Sequence, residues 1–395
     1  MKLVKSLLLG SAAGLVAVAG ASAADLGVKK PTAVEYVKTC PTYGAGFFVV
    51  PGTTSCLKIV GRVRADYIFN NDLTRAADKN TFRARGYFGY DHRTATEYGL
   101  LRTYVRGFIG RDNNAAYAPV LEYAFIQFGG LTAGRVTPVW EHGWAWSFIG
   151  GGAVGTFSDI SYVNSIGYTA SFGGGFSATI ALDSAAERRT SITGGAYAGQ
   201  AMPDVVGKLA YDASWGSAYV AGAVHQIRTS TFVGGVYPGT KYGWAISGGV
   251  KFNLPMLTKG SNLWLNAAYA DGASSYTGWG GGTVGQFAIV TSDARIIGTS
   301  LRTTRTWTIG GGAQVYFTPT IWGGVIAGYG QHDASGAANT IRAWDVTGTV
   351  GWTPVAGFLI GGEVTYRNVS ASAGVIPAGT NRDNFQGRIR FQRDF

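Results

Sequence analysis

A chain of 395 residues with 61 glycines, 13% aromatic residues and only 14% charged residues does not read as a set of soluble helical domains. Glycine at about twice its usual share would cost roughly 1 kcal/mol at each helical position, whereas a curved, closely spaced sheet accommodates it. The formal charge of +11 would suit nucleic acid, but the export signal at the N-terminus removes that partner, so no nucleic-acid binding is expected.

Lys2 and Lys5 open the chain, Leu7-Leu8-Leu9 starts an apolar run to Val18, and Ala21-Ser22-Ala23-Ala24 supplies a small-residue cleavage site. This is the build of a secretory signal peptide over residues 1–23, with cleavage after 24 as the neighbouring alternative. An uncleaved anchor competes with that reading, but Gly10, Ser11 and Gly14 leave its apolar run short. Beyond it no stretch of about eighteen apolar residues occurs, so no helical membrane span is expected. Residues 24–56 read as an N-terminal periplasmic or lumenal segment. It holds both cysteines, Cys40 and Cys56, separated by a looped stretch with Pro41, Gly44, Gly46, Pro51 and Gly52. In an oxidising compartment the pair is expected to close a disulfide rather than remain two thiols. No further ligands stand nearby, so no metal is expected there.

From Leu57 to Phe395 the dominant period is two. In 57–69, Leu57, Ile59, Val63, Tyr67 and Phe69 fall on one face, with Lys58, Arg62, Arg64 and Asp66 on the other. Helical spacing would mix these groups, so the segment is a strand. The pattern recurs at 81–91, 98–111, 119–128, 131–137, 161–172, 175–184, 204–213, 217–228, 241–253, 261–272, 304–318, 320–332, 341–353, 356–369 and 383–395. Connections alternate between short and long. The expected fold is therefore all-β: a transmembrane, antiparallel, up-and-down barrel of sixteen strands over 57–395, with long external loops. Closure follows from the solvent, because every backbone polar group in lipid needs a partner.

The polar phase is the informative surface. Lys58, Arg62, Arg64, Arg83, Arg85, Arg102, Arg106, Lys208, Lys251, Arg367, Arg388 and Arg390 fall on it, against Asp66, Asp91, Glu122, Asp183, Asp212, Asp345 and Glu363. The bases concentrate in the first three strands and the last, which closure makes neighbours. A basic, pore-lining wall is expected: either a transverse field that favours polar solutes, or arginines that only brace the lumen through carboxylates. Trp244, Trp307, Trp352, Tyr366 and Phe391 fall on the lipid phase.

The segment 34–66 resembles the N-terminal signature of the general porins of alphaproteobacteria, the Rhizobiales type. The matching elements are Glu35-Tyr36-Val37, Cys40, Tyr43-Gly44-Ala45-Gly46-Phe47, Pro51-Gly52-Thr53 and Cys56-Leu57-Lys58-Ile59. The terminal Phe395 is similar to a wider porin feature read by the barrel-assembly machinery during biogenesis. The resemblance implies a homotrimer in the cell outer membrane, in contact with lipid and lipopolysaccharide, with a water-filled barrel passing small hydrophilic solutes and ions. It also implies that the third external loop folds into the pore as a constriction. Here that loop is 138–160, and it carries Trp140, Glu141, His142, Trp144, Trp146 and Asp159. It departs from the strongly acidic constriction loop that the family leads one to expect, so the implied cation preference is not carried over.

No enzyme constellation stands out. There is no G-x-S-x-G elbow, phosphate-binding loop or H-E-x-x-H pair, and no cofactor is expected. His92, His142, His225 and His332 fall in separate segments and read as scattered surface or lumenal residues. Three alternatives stay open: an outer-membrane lipase or protease, an adhesin or structural barrel, and a carbohydrate-preferring channel. The last needs aromatic residues in the lumen, for which Trp140, Trp144 and Trp146 are the dense candidates. The loop 273–303 reads as an exposed external loop. The leader reading has a direct test: the intact mass of protein from outer membranes should lack residues 1–23 or 1–24, and retention of Met1 would overturn the localisation.

Overall fold

The computed structural model describes residues 38–71, 78–113, 115–148, 158, 160–280, 291–334, 340–371 and 382–395. The leader read in 1–23 lies outside the described residues. From Cys40 to Phe395 the chain is one unit.

Sixteen long strands form its wall. The first eight are β1 (Cys56–Asn70), β2 (Asn80–Thr96), β3 (Gly99–Asp112), β4 (Ala118–Phe128), β5 (Leu131–Val136), β6 (Val163–Gly173), β7 (Phe176–Asp183) and β8 (Asp204–Ala213). The rest are β9 (Gly216–Ile227), β10 (Lys241–Asn253), β11 (Asn262–Asp271), β12 (Arg305–Tyr316), β13 (Ile321–Asp333), β14 (Thr340–Val355), β15 (Phe358–Ala371) and β16 (Asp383–Asp394). Every pairing between consecutive strands of the wall is antiparallel, and β16 returns to pair with β1, Arg62 opposite Asp394 and Asn70 opposite Gln386. The expected sixteen-strand closed barrel is thus present, with the short strand Phe48–Val49 added onto the start of β1. None of the described helices is long and apolar enough to cross a membrane.

Burial is inverted relative to a water-soluble barrel. Ile59 and Val63 are 63% and 57% exposed, while Asp66 on the opposite phase is 3% exposed. Apolar side chains therefore face outward, and charged ones face in. The outward aromatic residues pair between neighbouring strands near the loop ends: Tyr67 with Phe82 at 5.0 Å, Trp244 with Tyr269 at 5.4 Å and Trp344 with Tyr366 at 5.3 Å. At the turn end Phe176 and Tyr211 do the same at 4.4 Å. Two such belts mark the two membrane interfaces.

The Cys40–Cys56 disulfide is present, with Cα atoms 6.2 Å apart. It clusters with Phe47, Tyr43 and Val49. The loop it closes lies against inward-phase cations at the turn end, with the Arg93 guanidinium 4.8 Å from the Phe47 ring and Lys58 Nζ 6.0 Å from it.

The closing seam extends to the last residue. Gly61 N donates to Phe395 O at 2.9 Å, and Phe395 N donates to Gly61 O at 3.1 Å. A Cβ at Gly61 would sit 2.3 Å from the Phe395 ring. Only glycine lets the terminal ring lie across β1. Gly61→Val should therefore impose an overpacking cost of about 1–3 kcal/mol on the seam. Its heat-modifiable gel shift should occur at a lower temperature than in the parent, with strand content by circular dichroism retained; an unchanged transition would show that the ring contact is dispensable.

Candidate functional site

The inward face of β16, β1, β2, β3 and β4 carries the densest charge. Arg62 grips Asp394 with both forks, at 2.5 and 3.0 Å. Arg390 does the same to Asp66 at 2.7 and 2.9 Å, with Arg388 3.7 Å from the same carboxylate. Arg83 is bidentate to Asp112, Arg102 is bidentate to Asp91 at 3.0 Å, and Arg93 shares Asp91. Arg106 reaches Glu122 at 2.7 Å, and on the adjoining strands β15 and β14 Arg367 pairs with Asp345 at 2.9 Å. The bracing expectation thus describes most of these arginines. Arg64 and Arg85 differ. Arg64 has a neutral acceptor, Gln392, and Arg85 has no carboxylate partner among the described residues.

The arginines also stack on rings. Arg62 and Arg64 lie 5.5 and 5.3 Å from the Tyr87 ring, and Arg85 lies 4.6 Å from Phe108. Arg106 covers Tyr123 at 4.9 Å, and Arg102 lies 5.2 Å from Tyr104. Tyr104 stacks on Phe125 at 5.4 Å. The loop tryptophans are therefore not the only dense inward aromatic residues, as the sequence had suggested; this wall holds a second group. Strand parity puts Phe108 on the phase of Arg106, a signal present in the sequence. Tyr123 and Glu122 point inward together because β4 has a bulge opposite Arg106 and Gly107, which leaves two successive residues on one face.

The third loop leaves the wall low. β5 is short, and Arg135 near its end lies opposite Ala124, midway along β4. From there the chain crosses the interior. Trp140 is 3% exposed and packs on Tyr276 at 4.9 Å, over a shelf of Ala221, Ala223, Ala245 and Ala270. His142 lies 5.2 Å from Trp264, Trp144 lies 5.3 Å from Tyr219, and Trp146 lies 4.2 Å from Trp322. The loop then docks on β15 and β16. Ser147 Oγ and Phe148 N donate to Glu363 at 3.1 and 2.7 Å. Phe148 O accepts from Arg388 and Arg390 at 2.5 and 2.8 Å. Gly361 leaves the space for this, since a Cβ there would meet the Phe148 ring at 2.2 Å.

Glu141 does not oppose the basic wall as a free acid. Its carboxylate accepts from Ser158 N at 3.1 Å and from Ser158 Oγ, and burial raises it above the usual carboxylate range, against the pull of Ser158 and Arg188. Lys208 donates to the Glu141 carbonyl at 2.6 Å. The transverse field expected from the loop acids loses this member. Asp159 lies outside the described residues.

The structure refines three further expectations. The loop 273–303 is not simply an exposed loop: Tyr276 and Trp279 are 1% and 2% exposed, and Asp293 accepts from Ser274 N, Thr190 N and Tyr197 OH at 2.7–2.8 Å. Residues 281–290 lie outside the described residues. His225 and His332, read as surface or lumenal residues, lie on the inward phase of β9 and β13 and are fully buried there, not on the outer surface. His225 Nδ1 lies 2.8 Å from Asp204 Oδ1, and Tyr276 OH donates to Asp204 at 2.8 Å. Asp183, read as a lumenal acid, is buried beside Arg188 at 3.6 Å. Alternation cannot reveal these partners, because loops bring them together. Among the described residues no cluster of His, Cys, Asp and Glu could hold a metal ion.

The whole arrangement is a walled, polar interior narrowed by an inward loop, and comparison with known proteins agrees. Residues 25–386 match the family model described as a porin subfamily. The porin Omp2b of Brucella neotomae is 32% identical over 99% of both chains, and that of Brucella suis biovar 1 is 32% identical with the same coverage. Among solved structures, the outer membrane channel DcaP of Acinetobacter baumannii has a TM-score of 0.69 at 16% identity, covering 88% of this chain and 99% of its own. OmpF of Salmonella typhi has a TM-score of 0.55 at 13% identity, covering 87% and 98%. These two likenesses concern the fold alone. The sequence match along nearly the full length shows that the chain belongs to the porin family of β-barrel outer-membrane proteins.

Proposed function

We propose that the barrel is a water-filled channel for passive diffusion of small hydrophilic solutes and ions, weakly selective with a lean toward anions, and assembled as a homotrimer. The observation that carries the lean is the imbalance of the inward face on β16 and β1–β3, where Arg64 and Arg85 have no carboxylate among the described residues while the loop's Glu141 is turned to Ser158. An anion near that wall gains Coulomb attraction. In a wide aqueous lumen the gain is about 1 kcal/mol or less for each close pair, and salt screens it. The third loop is the constriction in this reading, and the side chains of β1–β3 line the passage it leaves. The trimer rests on family membership, as does the reading that the barrel catalyses no reaction. A carbohydrate-preferring channel is the second reading, supported by the inward rings Tyr104 and Phe125.

The reversal potential across a tenfold KCl gradient should carry the sign of anion preference and shrink as total salt rises. Replacing Arg62, Arg83 and Arg102 with Ala should move it toward cations, because it removes three positive charges and leaves Asp394 and Asp112 without their paired arginines. A clearly cation-selective parent, or an unmoved potential in the triple variant, would defeat the anion reading.

The constriction has its own test. Glu363 accepts from Ser147, Phe148 and Thr349. Hydrogen bonds to a charged group contribute about 1.5–3 kcal/mol each, so Glu363→Ala should raise the undocked population of the loop roughly tenfold or more. Single-channel steps should become larger and noisier. Steps of unchanged size and noise would show that the docked loop does not limit the current.

A further inference from the structure

Two neighbouring rings of the wall, tilted against each other, carry more cation than their surroundings neutralise. Tyr87 and Phe108 have ring centroids 4.9 Å apart, and Tyr87 is only 2% exposed. Arg62, Arg64 and Arg106 surround Tyr87 at 5.5, 5.3 and 6.0 Å, while Arg85 lies on Phe108 at 4.6 Å. Stacking fixes the plane of each guanidinium and limits the freedom that would be lost when a ligand is held.

These four arginines divide into two pairs. Arg62 and Arg106 are matched by Asp394 and Glu122. Among the described residues, no acid lies within ion-pair distance of Arg64 or Arg85. Gln392 Oε1 accepts from Arg64 Nε and Nη2 at 3.0 and 2.8 Å, which satisfies donors but not charge. Arg85 Nε is buried without an acceptor. The two residues are also direct partners across the β1–β2 ladder. Like charges directly opposite one another oppose folding, and a buried donor without an acceptor adds to that cost. Sequence alternation alone would have allowed an acid at either position, as at the Lys58–Asp91 and Asp66–Arg83 rungs of the same ladder. Two unmatched charges and one missing acceptor, held on adjacent strands, are the complement of a ligand with two negative charges and several oxygens.

We propose that Arg64 and Arg85 form a saturable binding site in the channel for a small divalent oxyanion, the class that includes phosphate and sulfate. The fork of a guanidinium matches the edge of an oxyanion, which offers two acceptors together, and matches a spherical halide poorly. Arg62 and Arg106 frame the site but remain committed to their carboxylates. This inference rests on the channel reading above, and its test separates the two.

The test is single-channel recording in KCl with inorganic phosphate added. At about pH 8, where phosphate is mostly divalent, millimolar phosphate should interrupt the current, with an interruption frequency that saturates. At about pH 5, where phosphate is monovalent, the effect should weaken several-fold, whereas sulfate, divalent at both, should interrupt the current equally at the two. Arg64→Gln with Arg85→Gln should abolish the interruptions. Arg64→Lys with Arg85→Lys, which keeps the charge but loses the fork, should weaken them about tenfold. The heat-modifiable gel shift establishes that each variant is folded, and the single variant Arg85→Gln serves if the double one is not. KCl steps that neither phosphate nor sulfate interrupts, or interruptions that persist in a folded Gln variant, would overturn this site and leave the channel standing. The absence of KCl steps in the parent would remove both.

Discussion

Everything in this molecule depends on pairing β1 with β16. In a bilayer an open sheet would leave two rows of N–H and C=O groups without partners, each at a cost of several kcal/mol. The seam removes both rows, from Asn70 opposite Gln386 down to the exchange between Gly61 and Phe395. It is also where side chains are most tightly tied. Arg62 with Asp394 and Arg390 with Asp66 join the two strands by bidentate pairs on the inward face. Such pairs on an aqueous surface contribute little; here Asp66 is nearly inaccessible, and its geometry leaves few lone pairs unused.

The same seam anchors the loop that shapes the interior. Arg390 binds Asp66 and the Phe148 carbonyl at once, so closing the wall and docking the loop share a residue. At its other end the loop is held by packing, with Trp140 over alanines where larger residues would fill its place. The interior is thereby divided. The side of β8–β12 is occupied by the loop and by Tyr276, and the side of β16 and β1–β4 keeps its guanidiniums over rings. This asymmetry gives the interior an electrostatic direction, since the loop carboxylate that could have balanced the wall is bound to Ser158.

How much of this could be read in the sequence follows from the range of the interactions. A strand declares itself locally: Lys58, Arg62, Arg64 and Asp66 alternate with Ile59, Val63 and Tyr67 because one face meets water and the other lipid. All sixteen strands are legible by that rule, including the weakly patterned β5 and β6. Asp112, Asp394 and Phe108 obey the same parity as Arg106 and Arg390, so their inward placement was also within reach. The bulge in β4 was not, because alternation assumes that no residue is inserted. Loop contacts lie further still from any local rule. Nothing around Glu363 marks it as an acceptor for Phe148, 215 residues away, and nothing around His225 marks Asp204 as its neighbour. Those pairings exist because the barrel brings distant strands to one rim.

The arginine wall shows why counting charges along a face is not the same as finding a field. Most of its cations are quenched within hydrogen-bond distance by Asp66, Asp91, Asp112, Glu122 and Asp394, so their far field is that of a dipole and falls steeply. What reaches the middle of the lumen is the residue of this cancellation. Arg64 and Arg85 contribute to it, where the ladder sets two cations side by side over the rings of Tyr87 and Phe108. In the proposed channel, paired arginines brace the wall, and those without a carboxylate are left to act on a passing solute. On that proposal a wall of equal formal charge with every arginine matched would be less selective, so the preference would come from the departures from pairing.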